Sequence, residues 1–207
     1  GAIEAQRMLE ELTQTSDDPV GALLVYGEFL ARYNRDQARP KFEQAIQKAP
    51  NDPRIYLQLT QFHRQGEDYK QAAATLDRYL TLIKTGSTPE TDRVLARTSI
   101  AALEKDLVRF LLEAGELDKA AERLEVMNAA SPGDAEVLGL RAMLSFLKRD
   151  VEQAQRYLDA ALNADAEYAM GYSLRARLHL SNIDLPKAQT DMDRARQFTP
   201  EHRFGLG

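Results

Sequence analysis

Gly115-Glu-Leu-Asp-Lys-Ala-Ala-Glu-Arg-Leu-Glu-Val-Met-Asn-Ala-Ala-Ser-Pro132 is the stretch from which the rest of the chain is read. Gly115 breaks a preceding helix and Asp118 is placed to cap the next. Ala121, Leu124 and Met127 recur at helical spacing, and Ser131-Pro132 stops the run. One amphipathic helix decides little, but the same pattern returns every 34 residues. A period of that length is the mark of a stacked array.

Working outward, five repeats of 34 residues emerge, at 19–52, 53–86, 101–134, 135–168 and 169–202, with one insertion at 87–100. The twentieth position is always alanine: Ala38, Ala72, Ala120, Ala154 and Ala188. The twenty-fourth is always large and apolar: Phe42, Leu76, Leu124, Leu158 and Met192. Position twenty-seven is Ala45, Tyr79, Met127, Ala161 and Ala195, and Pro50, Pro132 and Pro200 close three of the repeats. Each repeat is thus expected to be a helical hairpin. The small residue at position twenty lets its second helix approach the first, positions twenty-four and twenty-seven face inward, and proline ends the second helix.

These positions resemble the tetratricopeptide repeat (TPR) family, and the five repeats cover 170 of 207 residues. The first-helix signature of that family, Trp-x-x-Leu-Gly-x-x-Tyr, survives in part in Tyr56-Leu-Gln-Leu59-Thr-Gln-Phe-His63 and in Tyr172-Ser-Leu-Arg175-Ala176-Arg-Leu-His179. Tyr26, Thr60 and Val108 stand where the family prefers glycine or alanine. The resemblance implies an all-α, right-handed α-solenoid of about five hairpins across residues 1–207, read as a single array.

Residues 3–14 form an extra amphipathic helix, either the second helix of a partial earlier repeat or a cap on the first. Asp17 or Asp18 caps the following helix, with Pro19 at its first position, and Pro40 is expected in the first turn of a second helix over 36–49. Asp150, and Asn182 or Asp184, are the caps of the later hairpins. In the insertion, Ser87-Thr88-Pro89-Glu90 is a helix-start signal, and neither glycine nor proline occurs from Glu90 to Ala114. One elongated helix in the third repeat is therefore predicted, about 25 residues or roughly 37 Å long. Its overhang, with Val94 and Leu95, either packs on the second repeat or docks a partner or a second copy. Gly1-Ala2 has the look of a cleavage remnant, and no polar capping helix follows Pro200. Either residues beyond 207 follow, or that end meets another surface.

The composition, 43 % apolar and 29 % charged, is globular, and no apolar run approaches the length of about 18 residues that a membrane span needs. The net charge of −5 argues against a general nucleic-acid or anionic-membrane surface. Absence of cysteine removes disulfides and thiol chemistry, and leaves cytoplasm and periplasm both compatible. The style of the sequence is bacterial. His63, His179 and His202 have no metal-ligand spacing, and the first two sit where the family places an aromatic filler. No phosphate loop, nucleophile elbow or paired-carboxylate motif appears, so neither an enzyme nor a cofactor or metal is expected.

In TPR proteins the first helices line a concave groove through repeat positions two, five, six, nine, twelve and thirteen. Carried over, these positions are Arg54, Gln58, Gln61 and Arg64 in repeat two, Lys105, Arg109 and Leu112 in repeat three, and Arg177 in repeat five. Val20, Leu23, Leu24 and Leu30 in repeat one, and Leu140, Met143 and Phe146 in repeat four, complete the set. The expectation is a basic centre between apolar patches, suited to a protein or peptide partner with acidic and apolar residues. Pairing of the same cations with neighbouring carboxylates is the alternative. The family's carboxylate clamp is not carried, because Lys105 is followed by Arg109 rather than asparagine. The functional expectation is a protein-interaction scaffold, part of a larger multidomain protein or assembly, with self-association through 87–100 or the C-terminal end as the competing reading.

Overall fold

The computed structural model describes residues 1–86 and 99–199. Among these, eleven helices and no strands are present: α1 Ala2–Thr15, α2 Pro19–Tyr33, α3 Arg35–Lys48, α4 Pro53–Gln65, α5 Tyr69–Thr85, α6 Ile100–Glu113, α7 Leu117–Ala130, α8 Ala135–Leu147, α9 Val151–Ala164, α10 Ala169–Ser181 and α11 Leu185–Phe198. The chain divides into two compact units, residues 1–110 and 111–207. In the N-terminal unit α1 packs on α2, α2 pairs with α3 and α4 with α5, and α4 also contacts α2 and α3. In the C-terminal unit α8 pairs with α9 and α10 with α11, while α10 also rests on α8 and α9.

The alanines explain the pairing. Ala38, Ala72, Ala120, Ala154 and Ala188 are each at most 1 % exposed, so at every repeat a methyl group is all that separates the second helix from its neighbours. Phe42, Leu76, Leu124 and Leu158 fill the next layer and are buried, whereas Met192 remains partly open. Gly27 compensates for the bulk of Phe42, since a Cβ at Gly27 would lie 2.9 Å from that ring. The bulky residues at the family's small position are also accommodated: Tyr26 and Val108 are buried, and the Thr60 hydroxyl donates 2.8 Å to the Tyr56 carbonyl.

Four hairpin turns share one backbone solution. Glu67, Gly115, Arg149 and Ile183, all at repeat position fifteen, have φ of 56°, 74°, 63° and 60°. In each case the next N–H bonds back to the helix, as in Asp68 to His63 O at 3.0 Å and Asp184 to His179 O at 2.9 Å. This is the Schellman ending, in which the residue after the left-handed one becomes the cap of the next helix. Asp68, Asp150 and Asp184 accept from the N–H groups of Gln71, Gln153 and Lys187.

Several local expectations are corrected. Asp118 does not cap α7: the turn uses up Gly115 and Glu116, so Asp118 already lies in the first helical turn. Pro40 is the sixth residue of α3 rather than part of its first turn, so it removes a hydrogen bond that the helix would otherwise make. Ser99 lies outside α6, with its Oγ accepting from Ala102 N–H at 3.3 Å and its carbonyl from Leu103 N–H at 3.1 Å. A single helix running unbroken into α6 is therefore not formed at Ser99, because the serine side chain caps the start. Val94, Leu95 and the rest of 87–98 lie outside the described residues, as do 200–207, including His202.

Candidate functional site

In the N-terminal unit the basic residues divide into two groups. Arg54 bridges the starts of two hairpins, bonding Asp52 at 2.7 Å and Asp18 at 2.7 Å. Its bonds to Asp52, and then to Asp18, hold the guanidinium more firmly charged, while Arg54 in turn holds the Asp18 carboxyl below its usual range. Arg109 pairs with Asp106 in its own helix, and Lys105 is half-buried. Arg54 and Arg109 are thus committed to structure. Arg64 is exposed and makes no ion pair or side-chain hydrogen bond among the described residues. Gln58 and Gln61 line a cleft between α2 and α4 with Glu28, Arg32, Phe62 and Gln65.

The apolar flank expected from repeat one is not a surface. Val20, Leu23, Leu24 and Leu30 belong to the core of α2, α3 and α4. Leu112 and Leu140 are buried too, at 2 % and 4 % exposure, so neither lines a groove. The physical reason is that a first helix in the array is covered on two sides by its own partner helix and by the next hairpin, which leaves only a narrow open stripe.

In the C-terminal unit that stripe forms a shallow apolar hollow between α8 and α10, with about 20 Å³ of space, room for little more than one water molecule. Met143, Phe146 and Leu147 of α8 face Leu174, Arg177 and Leu178 of α10, over a floor of Ala142, Ala154 and Leu158. Met143 and Arg177, chosen from repeat position, are brought together here. Arg177 is exposed and, among the described residues, its side chain makes no ion pair or hydrogen bond. Met170 and Leu180, exposed at 52 % and 46 %, lie seven residues before and three after Arg177, on the same side of α10. They occupy repeat positions two and twelve, so the positional rule that selected Arg177 would have found them.

The histidines play different parts. His63 is buried edge-on to Phe62, with ring centroids 5.4 Å apart, and burial pushes its imidazole below the ordinary value. His179 sits beside a polar cluster that the sequence reading missed: buried Asp191 receives two 2.8 Å bonds from Arg175, and His179 Nε2 lies 3.5 Å from the same carboxylate. Arg175 stands where the family has leucine, and that exchange was the available signal. Among the described residues no group of three or more His, Cys, Asp or Glu is gathered as metal ligands would be, and no helix is long and apolar enough to cross a membrane.

Antiparallel hairpins stacked through buried alanines, with an open first-helix face, define a helical-repeat protein. A tetratricopeptide repeat family model matches residues 29–82 and 111–178, and the chain belongs to that family. No curated protein sequence matches it. Among solved structures it is similar to MamA (41-end) from Desulfovibrio magneticus RS-1, with 16 % identity, TM-score 0.57, and 90 % of this chain and 97 % of that one covered. It is also similar to BtubC from P. vanneervenii, with 16 % identity, TM-score 0.57, and 100 % and 91 % covered. YrrB, described as a TPR protein with an unusual peptide-binding site, has 15 % identity, TM-score 0.52, and 94 % of each chain covered. At these identities the likeness is one of fold. Membership of the tetratricopeptide repeat family implies a scaffold for protein–protein interaction.

Proposed function

We propose that the chain binds a partner polypeptide segment on its first-helix face, and that an apolar side chain of the segment packs over the shallow hollow between α8 and α10, against Met143, Phe146 and Leu174. The observation that carries this reading is the conjunction, at one place, of an apolar hollow and an exposed arginine with no partner among the described residues. Burial of an anchor supplies most of the affinity, and a carboxylate on Arg177 fixes its direction. In the N-terminal unit Arg64, Gln58 and Gln61 offer uncommitted donors and acceptors for the same class of ligand, whereas Arg54 and Arg109 keep their internal pairs. YrrB's described peptide-binding site supports a peptide as ligand on a fold of this kind.

Selection of a random peptide library displayed on phage against the intact chain tests the reading. Enriched peptides are expected to share a large apolar residue with an acidic neighbour. Met143→Glu is expected to weaken them by about tenfold or more, because it places a charge in the anchor's seat. Arg177→Glu is expected to act in the same direction. Enriched peptides that bind both variants as tightly as the unaltered chain would remove the hollow from the function.

A further inference from the structure

Among the four left-handed turn residues, Ile183 is the anomaly. A β-branched side chain at φ of 60° is disfavoured relative to the glycine that Gly115 supplies at the same repeat position. Its side chain is 83 % exposed, so packing within the chain does not offset the strain, and Leu180 and Leu185 beside it are open at 46 % and 61 %. The preceding hairpin turn follows directly from Leu147, a wall of the hollow. It carries Lys148 and Arg149, exposed cations that make no ion pair or side-chain hydrogen bond among the described residues. The nearby carboxylates are already committed, Asp150 to the Gln153 N–H, and Asp184 to the Lys187 N–H and ammonium.

We infer that this turn edge is a second contact site for the same partner polypeptide. Carboxylates next to the apolar anchor seat on Lys148 and Arg149, and an apolar side chain of the partner covers Ile183 and Leu180. The inference rests on the hollow being the anchor's seat. Charge complementarity selects the occupant: Arg177, Lys148 and Arg149 lie at and beyond the hollow without neutralising partners, so an acidic apolar segment is attracted and a basic one rejected. The strained isoleucine supplies the independent observation. Local strain is retained where a surface has another use, and an exposed apolar side chain in a left-handed turn gains nothing until it is covered.

The experiment measures binding of fluorescein-labelled versions of the phage-selected peptides, by fluorescence polarisation, to the unaltered chain and to three variants. Lys148→Glu with Arg149→Glu is expected to weaken binding by about tenfold, with a smaller difference at high salt. Glu67 already occupies the equivalent turn position, so the reversal at Arg149 is compatible with the fold. Ile183→Gly is expected to raise the thermal midpoint while weakening binding by about fivefold. If Met143→Glu abolishes binding and both turn-edge variants bind normally, the edge is not a contact site and the hollow stands. If Met143→Glu binds normally, the hollow and the present inference fall together.

Discussion

Arg175 illustrates how one residue departs from its family position and is made tolerable. A guanidinium in place of leucine faces the interior, and Asp191, 4 % exposed, answers it with a two-point bond from the next helix. Asp191→Ala leaves that cation only the more exposed Asp159, at 3.3 Å, and is expected to cost about 2 kcal/mol, whereas Arg175→Leu with Asp191→Leu should recover most of the loss. Urea titrations of the three proteins check this. His63 carries a second expectation. Burial lowers its proton affinity, Arg39 and Arg35 add to the effect, and Asp68 at 3.8 Å opposes it. The unfolded chain therefore binds the proton more readily. The stability tied to neutral His63 is complete above its ordinary value of about 6.5 and is lost progressively as the pH falls below that, through the lowered value of the folded state. The urea midpoint should drop between pH 7.5 and pH 5.5, and the drop should be smaller in His63→Phe. Both residues were visible in the sequence as deviations from the family pattern. What each deviation meant depended on a partner sixteen positions away for Arg175 and on the depth of burial for His63.

At the level of elements, the turns do more than link helices. In four hairpins the left-handed residue at position fifteen ends one helix and leaves the next residue to cap its successor, so turn length is fixed by hydrogen bonding. The first repeat is different, with Asn34 alone between α2 and α3. Its α3 is also the helix interrupted by Pro40. Pro40→Ala should restore a donor in an exposed stretch of that helix and raise stability by about 1–2 kcal/mol, after allowance for the stiffer unfolded chain of the proline form. A shift of the thermal midpoint upward is the result to look for, and a shift downward would mean that proline's restriction of the unfolded state dominates. Helix types and most boundaries were legible from periodicity, glycine and proline. The cap at Glu116 and the start of α6 after Ser99 were not, because competing capping groups lie within two or three residues of each other and only backbone geometry selects between them.

At the scale of the whole molecule, each hairpin is stabilised by its neighbours in the chain, so the effect of a core truncation should stay local. Leu158→Ala, in the floor of the hollow, is expected to destabilise by about 3 kcal/mol. Hydrogen exchange should show the loss of protection in residues 111–199, with amides of the N-terminal unit least affected. Equal loss throughout the described chain would indicate that the molecule opens as one cooperative body.

Taken alone, the order of residues established the all-α repeat, its 34-residue period, the buried alanine seam and the family. Those follow from local periodicity and from side-chain size at fixed intervals, which every repeat states again. Tertiary structure alone decided which candidate groove residues are surface. Leu23 and Leu140 vanish into the core, Arg54 and Arg109 are taken by carboxylates, and Met143 and Arg177 are left together at one open hollow. Repeat position specifies the direction in which a side chain leaves its helix. Whether anything then covers it depends on the neighbouring hairpin, whose contribution comes from residues far away in the chain.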